Sequence, residues 1–184
     1  AVKMIAETAT GYNNIDLAYA KAHGITVANV AGYSTQSVIQ HTFALCFYLL
    51  EKLSYYDNYV KSGAYINSPC FTHFDAKFHE LAGKTWGIIG LGAIGALVAN
   101  AAIALGMKVV GTDPFLSVNA ALRLSPSVKV VPTADAVYAE CDYLTVHVPC
   151  NADTKGFINA ETIAKMKDGV RVLNFARGEL VNDA

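Results

Sequence analysis

The feature that most constrains this chain is the stretch "TWGIIGLGAIGALVANAAIALG", residues 85–106. A short apolar run leads straight into Gly90, Gly92 and Gly95, spaced G-x-G-x-x-G, and an alanine-rich segment follows at once. The run has the length of a buried strand, and the segment after it is built from strong helix formers. Glycines at such a strand-to-helix turn have separate uses. Gly90 permits the tight turn, Gly92 lets backbone approach a pyrophosphate, and Gly95 lets helix and strand pack closely. The helix N-terminus adds unpaired N–H groups and a partial positive charge. Asp113 stands 18 residues past Gly95, at the end of "KVVGTD". Its carboxylate can accept hydrogen bonds from an adenosine ribose and would repel a 2′-phosphate, so loop and acid together predict NAD rather than NADP. The plainer alternative is that the glycines only allow close packing and that Asp113 opens an Asp-Pro turn. The ordered strand, loop, helix, strand and acid favour the nucleotide.

The rest of the chain extends the same pattern. "VKMIAETA", "DLAYAKAHG" and "ITVANV" read as strand, helix and strand, with Gly24 ending the helix. "STQSVIQHTFALCFYLLEKLSYYDNYVKSG" reads as one long helix capped by Ser34 or Thr35 and stopped at Gly63. Residues 64–82 have no period and read as a surface excursion. Beyond the glycine loop, strands "KVVGTD", "VKVV", "YLTVHVP" and "VRVLNFA" alternate with helical segments, including "TADAVYAEC" capped by Thr133. Alternation of this kind predicts a Rossmann-like, doubly wound parallel α/β sheet. Five strands fit where a complete dinucleotide fold has about six, so the chain reads as cut short.

Composition narrows the function classes. Net charge is −1 with 16% charged residues, which excludes the basic stripe of a nucleic-acid binder. The longest apolar run, "TFALCFYLL", is about half of a membrane span, and no leader peptide is visible, so no membrane partner is expected. Cys46, Cys70, Cys141 and Cys150 are scattered without a CxxC pair, which argues against a disulfide framework or a metal site and for a cytoplasmic setting. Arg177 ends the last apolar strand, at the sheet edge where open α/β folds bind ligands. By position alone it reads equally as an anion anchor or as a surface salt-bridge partner.

"ELAGKTWGIIGLGAIG", "MKVVGTDPF", "VHVPCNADTKGFIN" and "MKDGVRVLNFARGELV", in this order, resemble the consecutive blocks of the D-isomer-specific 2-hydroxyacid dehydrogenases. "ATGYNNID" and "NVAGYSTQSV" are most similar to the glycerate dehydrogenase (hydroxypyruvate reductase) branch. The resemblance implies a split protein. Residues 1–33 would close the N-terminal part of a flavodoxin-like substrate domain, and residues 34–184 would form a NAD-binding domain truncated at its C-terminal end. It also implies that Ala93 and Ile94 meet the cofactor at the loop, that Val148, Pro149 and Thr154 line the adenosine side, and that Phe175 and Ala176 flank the nicotinamide. Thr10 and Gly11 would hold a substrate carboxylate, with Tyr33 facing the same cleft. Arg177 would be the catalytic arginine that binds a small 2-oxo or 2-hydroxy acid.

The family's general-acid histidine and the carboxylate beside it are expected in sequence beyond residue 184. None of His23, His41, His73, His79 and His147 is suited to that role, and His147 within "TVHVP" reads as a buried, hydrogen-bonded imidazole. Tyr55, Tyr56 and Tyr59 read as a core or subunit-interface cluster. A homodimer is the oligomer the resemblance implies. The same family includes NAD(H)-binding transcriptional corepressors, and formate and phosphite dehydrogenases share the fold. These stand as alternatives to an enzyme passing hydride between NADH and hydroxypyruvate or glyoxylate.

Overall fold

The computed structural model describes residues 1–183, in two compact units. The first, Ala1–Val38, is a βαβ turn. Strand β1 (Met4–Ala6) pairs in parallel with β2 (Thr26–Ala28), and helix α1 (Leu17–Ala22) connects them. Asp16 caps α1 by accepting the Tyr19 N–H at 2.8 Å, and Gly24, at φ +64°, turns the chain out of it.

The second unit, from Ile39 onward, holds a five-stranded parallel sheet in the order β5-β4-β3-β6-β7. Its strands are β3 (Thr85–Ile89), β4 (Lys108–Thr112), β5 (Val128–Val130), β6 (Tyr143–Val146) and β7 (Arg171–Asn174). The order reverses between β3 and β6, which is the switch point where open α/β sheets leave a crevice. Side chains alternate across the sheet and build two cores. One packs Trp86, Ile88, Val109 and Tyr143 against Phe43, Cys46 and Leu50 of α2 (Thr35–Leu50) and against α4 (Ala93–Ala104). The other packs Ile89, Val110, Leu144 and Val146 against Val137 and Tyr138 of α6 (Ala134–Glu140). Helix α4 buries Gly95, Val98, Ala99 and Ala102, one face at helical spacing. Fully buried Trp86 lies between Phe43 and Tyr143, with ring centroids at 4.9 and 5.7 Å, and donates its indole N–H to Thr145 Oγ1 at 2.9 Å.

The expected single helix over 34–63 is instead two. α2 stops at Leu50 and α3 (Leu53–Lys61) begins after Lys52, whose backbone is left-handed at φ 51°. That conformation breaks the helical hydrogen-bond run without any glycine or proline to announce it. Two of the helices that follow the glycine loop are short. α5 (Val118–Ala121), capped by Ser117, and α7 (Ala160–Ile163), closed by an Asn159–Thr162 capping box, are single turns. Thr133 caps α6 as expected, accepting the Ala136 N–H.

Candidate functional site

The strand register creates the site. Thr112, Ile89, Val146 and Asn174 are aligned across β4, β3, β6 and β7. The next residues in each strand, Asp113, Gly90, His147 and Phe175, therefore leave the sheet side by side at its carboxyl edge. Two bonds hold this row together: the Gly90 N–H donates to Thr112 O at 2.9 Å, and the His147 N–H donates to Ile89 O at 2.7 Å.

The three glycines differ in what surrounds them. Gly90 has φ +95°, and a Cβ there would stand 2.7 Å from the His147 carbonyl oxygen. A Cβ on buried Gly95 would stand 2.0 Å from the Gly90 oxygen, so α4 can lie this close to the loop only without a side chain. At exposed Gly92 a Cβ would meet nothing within 4 Å. Gly92 is the N-cap of α4 and offers no side-chain cap, so the first N–H groups of the helix, from Ala93 and Ile94, are the ones that have no acceptor within the helix itself. The approach is therefore open where a phosphate needs to come near and filled where the helix needs to pack.

Asp113 binds this loop directly. Its Oδ2 accepts the Leu91 N–H at 3.0 Å and its Oδ1 accepts the Phe115 N–H at 2.9 Å. A carboxylate has about four lone-pair sites, so acceptor capacity remains for a ribose diol while the two backbone donors fix its orientation. The residues present thus fit a dinucleotide: an uncapped helix N-terminus, an uncrowded Gly92 and an oriented acid stand along one edge. Among the described residues no group of three or more His, Cys, Asp or Glu side chains could hold a metal ion.

On the far side of the switch point, half-buried Val148 and exposed Pro149 follow β6. The Thr154 hydroxyl donates to Pro149 O at 2.7 Å and accepts the Asn151 N–H at 2.9 Å, closing the loop that carries them. His147 corrects the expectation of a hydrogen-bonded imidazole. It lies one residue beyond β6, its Nε2 is buried with no partner among the described residues, and burial pulls its pKa down to about 4. The ring is neutral near pH 7 and so cannot act as an imidazolium.

Beyond β7, half-buried Phe175 meets the His41 ring edge-on at 5.7 Å. Arg177 donates from Nη1 to the Ala176 carbonyl at 2.8 Å. Asn174, which motif reading passed over, bonds both Ala176 and Arg177. In the first unit the Thr10 hydroxyl donates to Val30 O at 2.9 Å and Asn29 Nδ2 donates to Thr10 O at 2.8 Å, which ties down the loop carrying half-buried Gly11. Tyr33 is 62% exposed. His23 stacks on Tyr19, and His73 is stacked on Tyr59 at 3.7 Å with its Nε2 bonded to Tyr55 Oη at 2.8 Å. The tyrosine cluster therefore packs around a histidine. A cavity of about 620 Å³ lies away from the glycine loop, between α2 and β7, lined by Leu45, Leu49, Tyr143, Arg171 and Phe175 among others.

Residues 43–184 match the family model for the D-isomer specific 2-hydroxyacid dehydrogenase NAD binding domain. A glycerate dehydrogenase from Methylorubrum extorquens is 40% identical over all of this chain and 55% of its own length. A hydroxypyruvate reductase from Blautia hydrogenotrophica is 38% identical over 98% of this chain and 55% of its own. The structure of an Aquifex aeolicus D-lactate dehydrogenase complexed with NAD and lactic acid superimposes with a TM-score of 0.81 at 35% identity, over 98% of this chain and 51% of that one. The chain thus spans about half the length of these relatives.

Proposed function

The chain belongs to the D-isomer specific 2-hydroxyacid dehydrogenase family, whose NAD binding domain its residues 43–184 match, and on that premise we propose that the polypeptide carrying it transfers hydride reversibly between NADH and a small 2-oxo acid such as hydroxypyruvate or glyoxylate. The observation that carries this reading is the row at the carboxyl edge. Asp113, the Gly90–Gly95 loop and Phe175 follow β4, β3 and β7 at one level, with β6 between the last two, and Arg177 follows two residues on.

Bound NADH supplies the hydride. Asp113 receives the adenosine ribose hydroxyls, and the N–H groups of Ala93 and Ile94 receive the pyrophosphate. Val148, Pro149 and Thr154 bound the adenosine side, and Phe175 and Ala176 flank the nicotinamide. Arg177 offers a planar fork of donors to the substrate carboxylate and its neighbouring keto oxygen. Charge developing on that oxygen as hydride arrives is stabilised by the same guanidinium. For Thr10, Gly11 and Tyr33 of the first unit, a role as substrate contacts rests on the sequence resemblance alone. The proton that completes the alcohol is assigned to a group outside these 184 residues, in keeping with a chain that spans about half the length of its relatives.

The homodimer and the cytoplasmic setting belong to the same proposal. Ile66, Phe71 and Phe74 are 84, 86 and 71% exposed within one irregular segment, an apolar surface suited to a second copy. All four cysteines are free, and burial raises the Cys46 and Cys141 thiols to about 11, which keeps them protonated. No described helix is long and apolar enough to cross a membrane.

Following NADH absorbance tests the reading. The 184-residue chain is expected to bind NADH without useful turnover, and the polypeptide at its natural length to reduce hydroxypyruvate or glyoxylate. Turnover by the 184-residue chain would remove the argument for an external acid. Failure of the natural-length protein with any small 2-oxo acid would remove the reading itself.

A further inference from the structure

We propose that Asn174 is a positioning residue for Arg177, an inference that rests on reading Arg177 as the anchor of the 2-oxo acid. Asn174 is the last residue of β7, so the sheet ladder that holds it does not extend to Phe175, Ala176 or Arg177. Its side chain takes over at that point. Oδ1 accepts the Ala176 N–H at 3.0 Å, and Nδ2 donates to the Arg177 carbonyl at 2.6 Å. The same carbonyl accepts the Leu180 N–H at 3.2 Å, and Leu180 is fully buried in the core on the α6 face. The Arg177 carbonyl is therefore held between the Asn174 amide at the end of β7 and the backbone N–H of a residue whose side chain is anchored in the core. Asn174 also fixes the Phe175–Ala176 peptide through the Ala176 N–H, and the guanidinium donates from Nη1 to the carbonyl of the same alanine, one peptide further on, at 2.8 Å.

The chemistry of the clamp selects asparagine. It presents one donor and one acceptor on a short fork, and the turn needs both. Aspartate keeps the acceptor for Ala176 and loses the donor for Arg177. Leucine keeps the approximate shape and loses both bonds. Asn174 touches neither substrate nor cofactor in this scheme. It acts by fixing where the guanidinium starts, and a displacement of about 1 Å at such a group can cost on the order of 100-fold in rate.

The test compares Asn174→Leu, Asn174→Asp and Arg177→Gln. In the natural-length polypeptide, Asn174→Leu is expected to raise KM for hydroxypyruvate about tenfold or more and to lower kcat, with Asn174→Asp intermediate. NADH affinity should fall less than that for hydroxypyruvate, because the loop and Asp113 lie at β3 and β4 and only the nicotinamide side at Ala176 is disturbed. In the 184-residue chain, amide exchange gives a readout independent of activity: the Ala176 N–H should lose protection in Asn174→Leu and keep it in Asn174→Asp. If Arg177→Gln raises KM but Asn174→Leu leaves KM and Ala176 exchange at wild-type values, the positioning role is overturned while the anchor reading stands. Equal weakening of NADH and hydroxypyruvate, tracking a lower Tm, also overturns it, as a merely structural role. A wild-type KM in Arg177→Gln overturns the anchor reading and the positioning role with it.

Discussion

Alanine placed in turn at Gly95 and at Gly92 should separate the packing role of the loop from its binding role. At Gly95 the new Cβ would stand 2.0 Å from the Gly90 oxygen, 3.0 Å from the Gly90 carbonyl carbon and 3.2 Å from Ile88 Cγ2. Two of these obstacles are backbone, held by the β3–β4 and β3–β6 ladders, so they cannot swing aside as a flexible side-chain tip would. Relief requires α4 to lift from β3 and loosen Val98, Ala99 and Ala102. Overpacking a core costs about 1–3 kcal/mol, and a backbone obstacle places this case at about 3 kcal/mol. Better helix propensity returns at most about 1 kcal/mol. The net loss of about 2–3 kcal/mol corresponds to a fall in Tm of about 4–12 °C for a chain of this size. At Gly92 the Cβ meets nothing within 4 Å and φ is −69°, so no strain arises. Alanine at an N-cap costs at most about 1 kcal/mol. The same methyl group occupies the approach to the helix N-terminus, so NADH binding should weaken about tenfold or more, or at least about 1.4 kcal/mol. Thermal melts by circular dichroism and NADH titrations of both variants provide the measurements. Wild-type NADH affinity in Gly92→Ala, or an unshifted melt in Gly95→Ala, would refute the division of roles.

Asp113→Asn should weaken NADH binding about tenfold and narrow the preference over NADPH, since the repelling charge is gone while one backbone bond to the side chain can persist. An unchanged NADH to NADPH affinity ratio would contradict the ribose assignment. His147 predicts a pH dependence. Its folded pKa of about 4 lies below the ordinary value of 6.5, so between these values the unfolded chain binds the proton and the folded chain does not. Stability therefore rises with pH through this window and is lost as pH falls from 6.5 towards 4, by at most about 3 kcal/mol. Urea midpoints at pH 7 and pH 4.5 should converge in His147→Phe, and equal acid sensitivity in variant and wild type would exclude the residue as the cause. Thr145→Val removes the acceptor of the buried Trp86 indole N–H and should cost about 1–3 kcal/mol in urea unfolding. A shift within error would show that the bond contributes nothing net.

The parts legible in the sequence were those encoded locally. A short apolar run, three spaced glycines, an alanine-rich helix and an acid at the next strand end specify the β3–α4–β4 unit, and the alternating segments after it specify a parallel sheet. The break at Lys52 had no such marker, because a left-handed lysine is chosen by packing and not by its own propensity. The strand over "YLTVHVP" was overestimated because its apolar pattern continues past the last ladder bond, at His147. Long-range pairings lay beyond reach for a different reason. The Asp113 bond to the Leu91 N–H spans 22 residues and the Trp86–Thr145 bond spans 59, so neither leaves a spacing signature. Asn174 lies close in sequence to the residues it binds. It was missed because a strand-end asparagine reads as a terminator, and only the turn geometry reveals a fork gripping both a donor and an acceptor.

Trp86 is the only tryptophan in the chain, and its wholly buried setting between Phe43 and Tyr143 has an optical consequence. Indole emission from this protein originates at a single address in β3, hydrogen-bonded to Thr145 of the neighbouring β6. The indole is shielded from water, so its spectrum should be that of an apolar environment and should redden only when the central sheet opens. Reduced nicotinamide absorbs where tryptophan emits, so a nucleotide bound at the carboxyl edge would quench this one lamp by energy transfer. Occupancy and core integrity can therefore be followed with the same unlabelled molecule, the first as a loss of intensity and the second as a change of colour.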